Sequence, residues 1–263
     1  MSHPQRREAL RQRLTELRLD ALLVTNLLNV RYLTGFTGSN SALLVLAEGD
    51  ESSVFCTDGR YRTQSQRQVP DLRRVIDRSC TLRLAEYARE HRIGRLGFES
   101  HVVTVDGHAA LAEVTGPEVL IAVSRPVERL RSIKDHTEVT ALRTACAIAD
   151  AALAGLLADG GLRPGRTERE VARDLDARLV ALGAAGPSFE TIVAAGAHSA
   201  IPHHRPTDTE LSCGDLVKLD FGALVEGYHS DMTRTMVLGA PVAWQQELYD
   251  LVATAQAAGR AAL

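Results

Sequence analysis

Between Asp20 and Ser124 the chain alternates short apolar runs with stretches of helical polar-apolar spacing, and this alternation narrows the fold more than any other feature. Runs at 21–24, 42–46, 54–56, 75–76, 96–98 and 119–123 have the length and composition of strands. Residues 60–68, 82–90 and 105–113 carry the spacing of helices laid over a sheet. Strands that alternate with helices form an α/β layer, so the front of the chain is expected to be one α/β domain.

The strand pattern ends near Ser124-Arg125-Pro126, which divides the chain into expected domains 1–125 and 126–263. A long helix opens near Asp135, where Glu138 completes a capping pair; Leu142, Cys146, Ala149, Leu153 and Leu156 repeat at helical spacing until Gly160-Gly161 and Pro164 stop it. Thr167 and Glu170 form a second capping box, opening a helix that runs through Val180 to Gly183. Residues 189–195 then read as a strand, 198–208 as a loop rich in His and Pro, 216–238 as two strands around Glu226-Gly227, and the chain from Val242 as a helix. This order of elements indicates an α+β domain.

The chemistry concentrates in 217–235. With the turn centred between Val225 and Glu226, Asp220 falls opposite Asp231, Leu219 opposite Met232 and Lys218 opposite Thr233. Directly opposed side chains lie about 4.5–5.5 Å apart, and two carboxylates at roughly 5 Å in an effective dielectric near 20 repel by about 3 kcal/mol. Such a pair needs a cation between its members or a proton on one of them. Two divalent ions suit it, because carboxylates can chelate and bridge them; Lys218 or Arg234 neutralising the pair in an ordinary salt-bridged hairpin is the structural alternative. Just upstream, Ile201-Pro202-His203-His204-Arg205-Pro206 holds two histidines between prolines. A neutral imidazole there can bind metal or pass a proton, or it can simply face solvent.

A net charge of −3 excludes general attraction to phosphate backbones or anionic lipid. Arg6, Arg7, Arg11 and Arg13 fall on a helix with Leu10, Leu14 and Leu17 and are expected on its solvated face. No signal-peptide core precedes them, and no stretch reaches the roughly eighteen apolar residues of a membrane span, so a cytoplasmic protein without nucleic-acid or membrane partners is expected. Cys56, Cys80, Cys146 and Cys213 are too scattered for a zinc cage or a disulfide framework and are expected to be reduced and mostly buried.

Several segments together resemble one known family. Lys218-Leu219-Asp220-Phe221-Gly222 and Ser230-Asp231-Met232-Thr233-Arg234-Thr235 look like the first two metal-ligand motifs of the Xaa-Pro dipeptidases and aminopeptidases P, within the creatinase, prolidase and methionine aminopeptidase family. The segment 201–206 resembles that family's histidine loop, and 29–39, 57–61 and 131–135 resemble its amino-terminal domain and the opening of its catalytic domain. The resemblance implies a creatinase-like α/β amino-terminal domain followed by an α+β catalytic domain of pita-bread type, the latter incomplete. It implies metal-dependent hydrolysis of Xaa-Pro bonds by a hydroxide bridging two divalent ions, manganese first, with cobalt or zinc able to occupy similar sites. Asp220 would chelate one ion, Asp231 would bridge both, and His203 would contact the substrate or its tetrahedral intermediate. His204, Asp58 and Arg60 are candidates for substrate binding, and a homodimer and a proline-containing peptide are the implied partners.

The family uses a further histidine and two glutamates downstream of the second aspartate, whereas the 32 residues after Asp231 hold no histidine and only Glu247, read as a surface residue on an ordinary amphipathic helix. Low activity of this chain alone is the corresponding expectation, along with an uncovered sheet edge. Two alternatives share the architecture: a metal-free, creatinase-like hydrolase, which the Asp220–Asp231 pair disfavours, and a non-catalytic peptide- or protein-binding module.

Overall fold

Four strands in which every residue is buried organise the first unit of the chain, because alternate side chains along each one must find cover on opposite faces. The computed structural model describes residues 1–262, which divide into compact units at Met1–Asp135 and His136–Leu263. In chain order the first unit holds α1 (His3–Glu16), β1 (Ala21–Val24), α2 (Leu27–Thr34), β2 (Ser41–Leu46), β3 (Val54–Thr57), α3 (Arg62–Gln68), β4 (Arg73–Ile76), α4 (Cys80–Glu90), β5 (Leu96–Glu99), α5 (Val105–Thr115), β6 (Leu120–Val123) and α6 (Glu128–Arg131). The sheet runs β4-β3-β2-β1-β5-β6, with β2 antiparallel to both neighbours and the other pairs parallel. Leu22, Val24, Leu43, Val45 and Phe55 pack with Leu10 and Leu14 of α1 and Val30 and Leu33 of α2. Ala21, Leu23, Leu44 and Cys56 face the other way, toward Leu84 and Ala88 of α4 and Leu111 of α5.

Two expectations change here. Arg6 and Arg7 are not on a solvated face: Arg7 is wholly buried, its guanidinium donating to Asp50, Asp71 and the Leu33 carbonyl, and Arg6 donates to Asp135 and the Tyr32 carbonyl. A wholly buried guanidinium is tolerable at Arg7 because each of its three nitrogens donates to a carboxylate or a carbonyl. The units also part ten residues later than the expected 125/126 boundary. Val127 and Leu130 join the first core, and Glu128 and Arg131 hydrogen-bond Asn29 of α2, so 126–135 stays with the front unit.

The second unit holds α7 (His136–Ala158), α8 (Glu168–Ala181), β7 (Gly186–Pro187), β8 (Ile192–Ala195), β9 (Leu216–Phe221), β10 (Ala223–Val225), β11 (Tyr228–His229), β12 (Met232–Val237) and α9 (Ala243–Ala261). The capping box of α8 forms as expected from Thr167 and Glu170. Within the 23 residues of α7 an 18-residue window has mean hydropathy 1.5, by length and composition enough to cross a membrane, which corrects the expectation that no stretch is. Its stripe of Ala141, Ala145, Ala149, Ala152, Leu153 and Leu156 is buried, and all but Ala141 belong to the core shared with α8 and the strands. Of the cysteines, Cys56 and Cys80 are buried as expected, but Cys146 and Cys213 are exposed; all four are free thiols.

The stretch 216–238 forms four strand segments rather than two, in two three-stranded sheets ordered β12-β9-β8 and β11-β10-β7. Val217, Leu219 and Phe221 of β9 are fully buried in the core with Leu153, Leu156, Val171 and Leu175, each worth about 1.5–3 kcal/mol of burial. The opposite face of β9 therefore carries Lys218 and Asp220. The last helix differs from the expectation of ordinary amphipathic packing: Trp244, Leu248, Tyr249, Leu251 and Val252 are all exposed, and Gln245 is its one buried residue.

Candidate metal centre

The geometry of the two aspartates follows from the turn between them. Glu226 (φ 50°) and Gly227 (φ 85°) are both left-handed, the pairing of a type I′ turn, and β10 and β11 pair around it as Val225↔Tyr228 and Leu224↔His229. The turn is therefore centred one residue later than the sequence spacing predicts, and a one-residue shift of the centre displaces the pairing by two. Asp220 lies opposite Thr233, Leu219 opposite Arg234 and Lys218 opposite Thr235, so the direct pairing of Asp220 with Asp231 is corrected. A displacement of two preserves the pleat: the register continued one step past Met232↔Phe221 sets Asp231 across from Gly222, on the side of Asp220 and Thr233. Continued as a regular ladder, that register makes the aspartates diagonal neighbours, a spacing of about 7–8 Å.

Gly222 makes this arrangement possible. A Cβ built there would lie 1.9 Å from the Ser230 carbonyl oxygen, closer than any side chain permits. The ribbon kinks at this point: the Ala223 amide bonds the Ser230 hydroxyl, and the Ser230 carbonyl accepts from the Ser188 hydroxyl at 2.7 Å. The kink separates the sheet of β9 and β12 from that of β10 and β11 and leaves Asp231 exposed just ahead of β12.

No basic side chain neutralises the pair. Among the described residues neither Asp220 nor Asp231 takes part in an ion pair; the Arg234 guanidinium donates to the Thr233 carbonyl, and Lys218 Nζ donates to the carbonyls of Ile201 (2.6 Å) and Pro202 (3.3 Å). The Asp220 Oδ1 atom is buried and accepts no hydrogen bond. An orphaned carboxylate oxygen beside a second carboxylate is costly unless something cationic meets it, and a hard divalent ion is what such oxygens bind. The residues present therefore fit a metal site and argue against the salt-bridged hairpin.

Lys218 also ties the histidine loop to β9, two residues from Asp220. His203 is exposed and makes no hydrogen bond with the described residues, while His204 is turned inward, 8% exposed, with Nε2 2.8 Å from Glu168 Oε2. Glu168 takes its place among the functional candidates only in the structure. It is wholly buried at the start of α8 and also meets the amides of Ala195 and Thr207, the Thr207 hydroxyl and His198 Nδ1. Burial pushes the Glu168 carboxyl up, but the Ala195 amide, His204 and Thr207 outweigh it and hold the carboxyl at about 2. Asp58 and Arg60 lie in the first unit and hold each other: the guanidinium chelates the carboxylate at 3.0 and 2.8 Å, and Asn40 adds a third donor. Those hydrogen bonds, Arg60 first and then Asn40, hold the Asp58 carboxyl well below the usual range. A cavity of about 980 Å³ opens beside the ribbon, lined by Lys218, Thr233, Trp244, Leu248 and Tyr249 among others.

Residues 140–263 match the model of metallopeptidase family M24, and residues 6–133 match the creatinase/prolidase N-terminal domain. Over 254 residues the chain is 40% identical to a protein of Bacillus subtilis named as the uncharacterized peptidase YqhT, covering 96% of this chain and 70% of that one. The chain belongs to the creatinase and prolidase family of M24 metallopeptidases. Among solved structures it superposes on an Xaa-Pro dipeptidase from Bacillus anthracis with a TM-score of 0.89 at 36% identity, covering 97% of this chain and 70% of that one. An X-Pro aminopeptidase from Thermotoga maritima gives 0.84 at 29%, covering 95% and 70%. The front unit is thus the creatinase-type domain, and the second is of pita-bread type as far as these residues carry it.

Proposed function

We propose that this chain serves Xaa-Pro peptide hydrolysis, with Asp220 and Asp231 holding two divalent ions, manganese first and cobalt or zinc as alternatives. The single observation that carries this is the buried, unpartnered Asp220 Oδ1, on the face that the continued register also gives Asp231, with no ion pair to either carboxylate among the described residues. When bound, the ions supply Lewis acidity that lowers the pKa of water and polarises the scissile carbonyl. Asp220, fixed on a strand whose other face is core, would hold one ion, and Asp231, exposed just ahead of β12, would hold both. His203, exposed and uncommitted, contacts the substrate or passes a proton as the tetrahedral centre forms. His204, engaged by Glu168, belongs to the loop's support rather than to the substrate. Arg60, whose side chain is 68% exposed, is assigned to the carboxyl end of a peptide bound by a partner subunit, with Asp58 orienting it.

Two carboxylates fall short of the roughly six positions a hard ion fills, so these residues alone should turn over substrate slowly. A homodimer and a cytoplasmic location complete the proposal; the four free thiols support the latter. The test assays Xaa-Pro dipeptide cleavage with manganese in this chain and in a chimera carrying the part of the Bacillus anthracis enzyme that the match leaves uncovered. Turnover in the chimera that disappears in Asp220→Asn and falls in His203→Ala is the expected result. A chimera equally active with and without Asp220 defeats the assignment.

A further inference from the structure

We infer that Glu168 is a positioning residue: it anchors one end of the His203 loop while Lys218 anchors the other, so that His203 is presented from a clamped segment. This rests on His203 acting as proposed above. Five donors converge on one carboxylate, Ala195 N (2.9 Å) and His198 Nδ1 (3.0 Å) on Oε1, and His204 Nε2 (2.8 Å), Thr207 N (3.0 Å) and Thr207 Oγ1 (2.8 Å) on Oε2. They come from the end of β8, from the turn that follows it and from the loop after His203, segments 27 to 39 residues away in the chain. The opening of α8 grips the same loop through its backbone, the Glu168 and Arg169 amides donating to the Thr209 and Thr207 carbonyls at 3.1 Å each. On the near side, Lys218 holds the Ile201 and Pro202 carbonyls. His203 lies between these two anchorages with its imidazole uncommitted.

The clamp specifies protonation as well as position. An ionised carboxylate only accepts, so His198 must present a proton on Nδ1 and His204 a proton on Nε2, and their rings stack at 4.3 Å between centroids. The same three side chains have the composition of a metal site, all their donor atoms lying within 4.8 Å of one another. The five satisfied donors favour the clamp: in contrast to Asp220, Glu168 has no orphaned oxygen for an ion to meet.

The experiment uses nitrogen-15 imidazole NMR and amide exchange on the full chain, with Glu168→Gln and the milder Thr207→Val. In the wild type, His198 should show the Nδ1–H pattern, His204 the Nε2–H pattern, and His203 the averaged pattern of a free ring. Glu168→Gln should collapse the first two to averages and speed exchange at the Thr207 and Ala195 amides by about tenfold or more. Manganese affinity at the ribbon should stay within about twofold, which shows that the unit remains folded. Thr207→Val should raise exchange at Thr207 by a smaller factor and leave both tautomers in place. Wild-type tautomers and exchange persisting in Glu168→Gln overturn the clamp, and so do imidazole shifts at His198 and His204 on adding zinc that vanish in Glu168→Gln, which make the cluster a metal site. His203→Ala in the peptidase assay reports separately on the role of His203 and leaves the clamp untouched.

Discussion

Replacing Asp220 by asparagine should shift the stability of the second unit in opposite directions with and without manganese. Without metal, the continued register makes Asp220 and Asp231 diagonal neighbours on one face, and among the described residues neither takes part in an ion pair. At about 7.5 Å and an effective dielectric near 20, their repulsion is about 2 kcal/mol, an upper figure because Asp231 is exposed to screening. The substitution removes that term while nearly preserving shape, so the metal-free variant should be more stable by about 1 kcal/mol, and less so in high salt. With manganese at about one hundred times its dissociation constant, the wild type gains about 2.7 kcal/mol by mass action and the variant, lacking a ligand, gains little. The order of stabilities should therefore invert. Urea unfolding of both proteins, with and without manganese at low and moderate salt, measures all four free energies. A wild type that gains nothing from manganese, or a variant that gains as much, refutes the cation-based account of the ribbon.

Gly222→Ala should be more damaging than an ordinary glycine replacement, costing about 1–3 kcal/mol or more, because its methyl meets the Ser230 carbonyl; circular dichroism and urea midpoints measure the loss, and a neutral result would show that the kink relaxes freely. Glu168 titrates at about 2 in the folded chain against an ordinary 4.5, so its stabilisation, about 3 kcal/mol at most, is complete above pH about 5 and lost as pH falls toward 2. The stability gap between wild type and Glu168→Gln should close over that window, and a pH-independent gap would contradict it. Leu219→Ala, at a fully buried position on the strand that carries Asp220, should cost about 2–5 kcal/mol in the same unfolding measurement.

Local signals in the chain specified most of the elements. The Thr167–Glu170 capping box, the glycines that end α7 and the strand-length apolar runs each depend on residues close in sequence, and each is found where it was expected. The face expected for each aspartate does not depend on the exact turn centre: strand periodicity is two, so a centre misplaced by one residue leaves the faces unchanged. Their direct opposition was not legible, because the centre depends on Glu226 adopting a left-handed conformation, which is uncommon for a non-glycine residue. Arg6 and Arg7 were misplaced for a related reason: the acids that draw Arg7 inward lie 43 and 64 residues away.

Sequence by itself therefore determined the main helices and strands, the two-unit organisation and the family, since these rest on short-range periodicity and motif spacing. Tertiary structure alone decided that Asp220 is left with an unanswered buried oxygen, that Lys218 turns to the histidine loop instead of to the aspartates, and that Glu168 holds that loop. Each of those outcomes is a competition among donors and acceptors far apart in the chain, and only the folded backbone brings the competitors within hydrogen-bonding distance.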